Sequence, residues 1–430
     1  MNGNAELVNA HGVFLEYSDG TKVIDGSNTG APLGHSHPAI VEAVREAAVF
    51  PVANEGQPWF ERRLAAAELS DLLNVAAGEE WVGEVHFGLS GSEVNDIALS
   101  LAQSLSNRAS FVVRDRAYHG LVGLSRDATV QPQWHGGLSF ISEPRHVQAP
   151  PRAVPVQIIN PPDGAIWERN QPKRSNVELN LSANCDEAMK DAAAVIIDYT
   201  QGGRYYDDPI YQDTVANRAR AAGAYWIADE VVTGLGRCGS MFAFEQGNTI
   251  PDIVTMGKPL AGGATPGGAV ILSKRVVNEM KQARWQNYST FRGHPVMVHA
   301  MRRHLQIMSR EGLPQRAAEL GSYCSQILRQ MANVHPCITR IAGKGLHWTV
   351  EFEGKDWKAW DSTEMGPNIA DFVVKECEHY GARISTSDEP SSLFIAPSLI
   401  ISRNELDHLF DALDRGLVAG DKYLQNQKQS

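Results

Sequence analysis

No run of this 430-residue chain approaches the ~20 apolar residues that a bilayer crossing needs, so no membrane span is expected. Cysteine is scarce. Cys185, Cys238, Cys324, Cys337 and Cys377 are scattered with no CxxC pair, which speaks against a zinc site and against a disulfide framework. Two histidines fall close together at His35 and His37, but no third ligand stands nearby, so they read as turn residues and no metal is expected. Positive charge is also in short supply: the net charge is −11, which argues against nucleic acid or an anionic membrane as the main partner. The first residues, Met1-Asn2-Gly3-Asn4, show no basic region followed by an apolar core, so a reducing, cytoplasmic setting is expected. Nor is there a low-complexity tract. The length fits two or three domains, or one large α/β domain with a smaller partner.

The most informative stretch runs from 224 to 263. Tyr225-Trp226-Ile227-Ala228 and Ile253-Val254-Thr255-Met256 are short unbroken apolar runs, as strands buried on both faces should be. Asp229 and Glu230 follow the first; Lys258 follows the second after Gly257. An acid and a lysine thus stand at the carboxyl ends of buried strands, the edge where open α/β sheets bind ligands. A lysine amine bonds an aldehyde as a Schiff base, and a buried carboxylate keeps a pyridine nitrogen protonated. Together they meet the demand of pyridoxal 5′-phosphate (PLP), whose charged ring draws electrons from a carbanion. A surface ion pair is the bland alternative for either residue alone.

Wider context decides between them. The stretches Asp229-Glu230-Val231-Val232-Thr233-Gly234-Leu235-Gly236-Arg237 and Pro251 to Lys258 resemble the class III PLP-dependent aminotransferases, of PLP fold type I. So do Gly34-His35-Ser36-His37-Pro38, Ser90-Gly91-Ser92-Glu93, Tyr118-His119-Gly120 and Thr290-Phe291-Arg292-Gly293-His294-Pro295, in the family's order along nearly the whole chain. The resemblance implies an α/β fold: a large PLP-binding domain with a mostly parallel sheet flanked by helices, over about 46–310. A smaller α/β domain would combine 1–45 with 311–430.

Taken in order, residues 13–25 read as a β-hairpin turning at Asp19-Gly20, followed by a helix from about Ala39 to Ala48 and another from Trp59 to Leu73. Val85-His86-Phe87, Phe111-Val112-Val113 and Ala194-Val195-Ile196-Ile197 read as sheet strands. Between them, Gly88 to Ser92 opens a helix through Ile97, Leu101 and Leu105. Its first N–H groups suit an anion, so Gly91 and Ser92 are assigned to the cofactor phosphate, with helix capping by either serine as a compatible alternative. Pro144, Pro150, Pro151, Pro155, Pro161, Pro162 and Pro172 break up regular structure, and 144–172 reads as an extended surface segment without an assigned function. Gly234 to Gly239 fits G-x-G-x-x-G, yet no helix begins within it and no acid follows at about twenty residues in a βαβ context, so a nicotinamide dehydrogenase is set aside. Helices are expected at Val298–Met308, Gln315–Met331 and about Arg403–Leu417, with strands at 348–352 and 392–396.

By resemblance, Lys258 carries the cofactor and then serves as general base, Asp229 holds the ring nitrogen, and Val231 and Tyr118 cover the two ring faces; a core tyrosine is the other reading of Tyr118. Thr290 lies where the family reaches the phosphate of the other subunit, implying a homodimer with shared active sites. The substrates would be small amines and carbonyl compounds. Some positions depart from the family pattern. Val232 stands where many members carry Gln and cannot donate a hydrogen bond. Gly203 replaces a glutamate, and Phe394 stands where users of 2-oxoglutarate often place an arginine, so the arginine–glutamate switch is missing on both sides. Either the acceptor is not 2-oxoglutarate or another arginine substitutes. Arg292 is the candidate, with an interface or surface arginine as the alternative. Phe394 and Trp59 suggest room for an apolar side chain. An aminotransferase is the reading, and a PLP-dependent racemase, aminomutase or lyase on the same scaffold is the alternative, because all begin by removing a proton from bound substrate.

Overall fold

The computed structural model describes residues 5–50, 57, 59–131, 136–140, 143–162, 164–169, 184–201, 204–205, 208–354, 367–386 and 389–429. A seven-stranded sheet lies at its centre, and only its strands are numbered below: β1 (Val82–Gly88), β2 (Ser110–Arg114), β3 (Val156–Ile159), β4 (Ala192–Asp198), β5 (Tyr225–Asp229), β6 (Ile253–Met256) and β7 (Gly268–Ser273). The order across the sheet is β1-β7-β6-β5-β4-β2-β3. Only β7 runs antiparallel to its neighbours. Every residue of β4, β5, β6 and β7 is buried, which is why these segments read as continuous apolar runs rather than as alternating ones.

Parallel pairing matters for the site because it brings strand ends to one edge. Ile227 faces Ile253 and Asp229 faces Thr255 across β5 and β6, and Asp198 faces Asp229 across β4 and β5. Asp198, Asp229 and the turn that begins at Lys258 therefore share the carboxyl edge of the sheet.

Two smaller sheets flank this body. Strands Leu7–His11, Phe14–Tyr17 and Lys22–Asp25 pair with Ala382–Arg383 from near the end of the chain. The expected hairpin is thus present, with a further strand before it. The second sheet pairs Ser392–Ile395, His347–Phe352, Ile338–Lys344 and Ala165–Glu168 in that order. The proline-punctuated span is consequently not just surface chain. It gives the central sheet its edge strand β3 and this smaller sheet a fourth strand, both positions where missing N–H groups cost little.

The last helix, Arg403–Gln429, runs well past the expected end. Gly416 and Gly420 weaken the helical signal there. They stand where a Cβ would lie 2.5 Å from Cys377 Sγ and 2.9 Å from Val373 Cγ2, so glycine is what lets this helix pack against Ile369–His379. The G-x-G-x-x-G segment forms turns with no helix, as its sequence context indicated.

Candidate active site

Asp229 ends β5 with a side chain that is 4% exposed. Its Oδ1 accepts the Val231 N–H (3.0 Å), while Oδ2 accepts Asn95 Nδ2 (2.7 Å) and lies 2.7 Å from His119 Nδ1. A carboxylate this enclosed keeps its charge by gathering donors. Asn95 spends its remaining groups on the same cluster: it also donates to the His119 carbonyl (2.8 Å), and its Oδ1 accepts the Thr255 hydroxyl (2.6 Å). Because Thr255 sits opposite Asp229 on β6, strand register itself sets the far end of this chain of hydrogen bonds.

Lys258 opens the turn Lys258–Ala261 after β6. Protein surrounds it, yet its surface is open to a cavity of about 710 Å³ whose lining also includes Ser90, Gly91, Ser92, Asn95, Tyr118, His119, Asp198, Asp229, Val231, Val232, His347 and Phe394. Burial pulls the Lys258 ammonium below the usual lysine range, and Asp229 and Asp198 oppose that shift. Asp198 is raised by burial and is held by Arg114 (3.1 Å) and the Tyr118 N–H (3.2 Å). Tyr118 is half-buried in the cavity wall, its phenol raised by burial and then by Asp229. Glu230 points elsewhere. It accepts Thr233 Oγ1 (2.5 Å) and the Phe244 N–H (2.9 Å), and burial pushes it up to about 7.

The helix Gly91–Ser106 starts at the cavity. Ser90 caps it by accepting the Glu93 N–H (3.2 Å), while the amides of Gly91 and Ser92 fall in the first turn, where no intrahelical acceptor exists. A Cβ on Gly91 would meet Val231 Cγ1 at 2.5 Å, and one on Gly120 (φ +142°) would meet Ser92 Oγ at 2.6 Å. Glycine at these points lets three segments converge on one helix end. Free amides at a helix start, a donor-rich buried carboxylate and an open lysine are a set that fits a phosphorylated pyridine aldehyde.

Gly91, Ser92, Tyr118, Asp229, Val231, Lys258 and Phe394 therefore gather around one cavity. Thr290 is exposed and lies outside that lining. Arg292 also lies outside it; 6% exposed, it holds Glu93 Oε1 with Nη2 (2.9 Å) and Nε (3.0 Å), and its Nη1 reaches Asn287 Oδ1 (2.5 Å). Trp59 packs on His299, away from the cavity lining, and Gly203 lies outside the described residues. Asn95, His119, Asp198 and His347 are site residues to which the sequence reading assigned no role. Asn95 does leave a signal: it is one polar position among Val94, Ile97, Ala98 and Leu101 on the buried face of its helix. Among the described residues no cluster of metal-ligating side chains occurs, and no helix is long and apolar enough to cross a membrane.

An acid and a lysine at the carboxyl edge of a mostly parallel sheet define a PLP enzyme of fold type I. Comparison with known proteins makes the assignment narrower. The class III aminotransferase family matches residues 2–417, and the chain belongs to it. It is 27% identical over 419 residues to an alanine–glyoxylate aminotransferase 2-like protein of Drosophila melanogaster, covering 94% of this chain and 80% of that one. Among solved structures, an S-selective transaminase from Arthrobacter sp. with alanine bound superimposes with a TM-score of 0.87 at 27% identity, covering 97% of this chain and 93% of the other. A phospholyase from Arthrobacter in complex with phosphoethanolamine gives a TM-score of 0.81 at 26% identity, with coverage of 97% and 95%. The chain is thus a PLP-dependent aminotransferase.

Proposed function

We propose that Lys258 is the residue that bonds the cofactor aldehyde and that it moves the substrate proton in a transamination between a small amine or amino acid and a carbonyl acceptor. When bound, PLP supplies an electron sink for the carbon that loses its proton. Asp229, hydrogen-bonded to Asn95, His119 and the Val231 amide, would hold a proton on the ring nitrogen. The Gly91 and Ser92 amides would hold the phosphate, and Tyr118 and Val231, which line the same cavity, would hold the ring between them. Burial lowers the Lys258 ammonium below the usual lysine range, so as a free amine Lys258 would be ready to accept a proton from substrate. The observation that carries this reading is Lys258 facing the same cavity as a buried carboxylate with three donors.

We further propose a cytoplasmic homodimer with shared sites, the division into 1–45, 46–310 and 311–430, and Thr290 reaching the phosphate of the other subunit. Exposed Leu121, Val122, Tyr288 and Phe291, next in sequence to Tyr118 and Thr290, support an apolar contact there. Light scattering tests it: a single-chain mass in solution rules it out.

The relationship to a phospholyase favours a second reading, elimination from a phosphorylated amine. One experiment separates the outcomes. Holoenzyme is mixed with amines, amino acids and phosphoethanolamine in deuterated buffer without any acceptor. Accumulating pyridoxamine phosphate supports transamination. Release of inorganic phosphate supports a lyase, and deuterium in recovered substrate with unchanged cofactor supports a racemase.

A further inference from the structure

Strands β2 and β4 lie side by side and parallel, and each ends on a buried charged residue at the carboxyl edge: Arg114, 2% exposed, and Asp198, 5% exposed. Asp198 Oδ1 accepts Arg114 Nη2 (3.1 Å), and its Oδ2 accepts the backbone N–H of Tyr118 (3.2 Å). Neighbours of Tyr118 in this turn use other acceptors. The Asp115 N–H donates to Ile159 O (2.9 Å) and the Ala117 N–H to Arg114 O (3.1 Å). The N–H groups of His119 and Gly120 share Thr129 Oγ1 (3.0 and 3.2 Å). The Tyr118 amide is thus held by a carboxylate from another strand, and both residues line the cavity that holds Lys258.

An acid is an expensive choice at this point. Asp198 stands directly opposite Asp229 across β4 and β5. Burial pushes the Asp198 carboxyl up, and Asp229 adds to that rise, while Arg114 and His119 oppose it. A neutral amide of the same length would escape the repulsion, but it has one acceptor oxygen where a carboxylate has two. Here each oxygen has its own donor. With a single oxygen on offer, the charged guanidinium would claim it, and the Tyr118 N–H would be left facing an NH2 group. Two acceptors in one short side chain are therefore what the acid supplies.

We propose that Asp198, its charge balanced by Arg114, is a positioning residue that acts through the Tyr118 amide to hold the Tyr118 ring where the cofactor ring would stack. Arg114 acts one step further out, by taking the other oxygen and fixing the carboxylate plane. This inference rests on the reading of Tyr118 as a residue that covers one face of the cofactor ring.

The test measures PLP affinity of the full chain by equilibrium dialysis, with thermal melts of each apoprotein. Asp198→Asn, alone and combined with Arg114→Met, is made with Tyr118 intact and with Tyr118→Ala. With Tyr118 intact, Asp198→Asn should weaken PLP binding about fivefold, the scale of one ring's stacking contact. In the Tyr118→Ala background the same change should alter affinity by less than about twofold, because residues that act through one another do not add. Adding Arg114→Met should restore affinity to within about twofold of wild type, since the single amide oxygen is then free for the Tyr118 N–H. If Asp198→Asn alone melts too early to assay, Arg114→Met with Asp198→Ala is compared with Arg114→Met with Asp198→Asn. Those two differ in the acceptor for Tyr118, and the same fivefold loss is expected of the alanine form. An equal loss in both Tyr118 backgrounds would mean that Asp198 acts elsewhere, as through its charge on Lys258, and overturns the proposal. Full affinity in Asp198→Asn, or no recovery with Arg114→Met, overturns it too. Should Tyr118→Ala alone bind PLP as tightly as wild type, the ring-face reading of Tyr118 fails, and this inference with it.

Discussion

Replacing Asn95 by Leu keeps the volume of the side chain and removes every hydrogen bond it makes. In the native site Asp229 has three donors for a carboxylate 4% exposed, and Asn95 supplies one of them at 2.7 Å. A hydrogen bond to a charged partner is worth about 1.5–3 kcal/mol, and about 1.4 kcal/mol is a factor of ten in rate or affinity. With the bond gone, Asp229 holds its charge less well, and its bias toward a protonated ring nitrogen weakens by a comparable amount. The half-reaction should slow about tenfold to a hundredfold, since that charge acts in a dry, preorganised site. The Thr255 hydroxyl and His119 carbonyl also lose a partner, so the apoprotein should lose about 2–6 kcal/mol of stability at roughly 1–3 kcal/mol per buried group left unpaired. Thr255→Val removes only the outer link and should cost about 1 kcal/mol, with a rate loss of about fivefold. Stopped-flow absorbance of the half-reaction, the pH dependence of the bound-cofactor spectrum and calorimetry measure these effects. A folded Asn95→Leu protein with an unchanged spectrum and a half-reaction within about twofold of wild type would refute the reasoning.

Further outcomes follow from the same geometry. Lys258→Ala should lower turnover by at least about a hundredfold, the scale of a lost acid–base group, and abolish the Schiff-base absorption of the holoprotein. Arg292→Ala should weaken PLP affinity about five- to thirtyfold by freeing Glu93 at the start of the phosphate-site helix; equilibrium dialysis reads this, and Michaelis constants for carboxylate substrates should not change. Tyr118→Phe should bind PLP within about threefold of wild type, whereas Tyr118→Ala should lose about 1 kcal/mol of stacking, fivefold or more in affinity. Glu230, pushed up to about 7 from 4.5, retains its proton in the folded state where the unfolded chain has lost it. Its contribution to stability therefore falls as pH rises from 4.5 to 7, by up to about 3 kcal/mol, and Glu230→Gln should flatten that slope in urea titrations run across the window.

The parts of this fold legible in the sequence are those where one local rule decides. Strands β4, β5 and β6 are buried on both faces, so their apolar runs carry no competing polar pattern, and the acid and lysine stand out at their ends. The helix Gly91–Ser106 announces itself through Ser90, Gly91 and the apolar face that follows. What the sequence did not reveal depends on distant partners. Edge strand β3 emerges from a span whose prolines speak against any strand, because pairing with β2 needs only one side of its backbone. The last turns of the final helix override two glycines through packing on Cys377 and Val373. His347 carries no local mark at all: its place in the cavity comes from pairing with a strand almost fifty positions later.

Arg292 shows the same limit from the other side. Its position beside Thr290 suggested an arginine standing in for the missing carboxylate-binding one. Yet its guanidinium is folded back onto Glu93, whose other oxygen accepts the Leu89 N–H at 2.5 Å, at the mouth of the phosphate-site helix. Two good hydrogen bonds to a largely enclosed carboxylate would have to be broken for Arg292 to turn toward a substrate, leaving Glu93 without its counter-charge in the first turn of its helix. Arg237 offers no substitute either, because its guanidinium is spent on the main-chain carbonyls of Leu346 and Pro397.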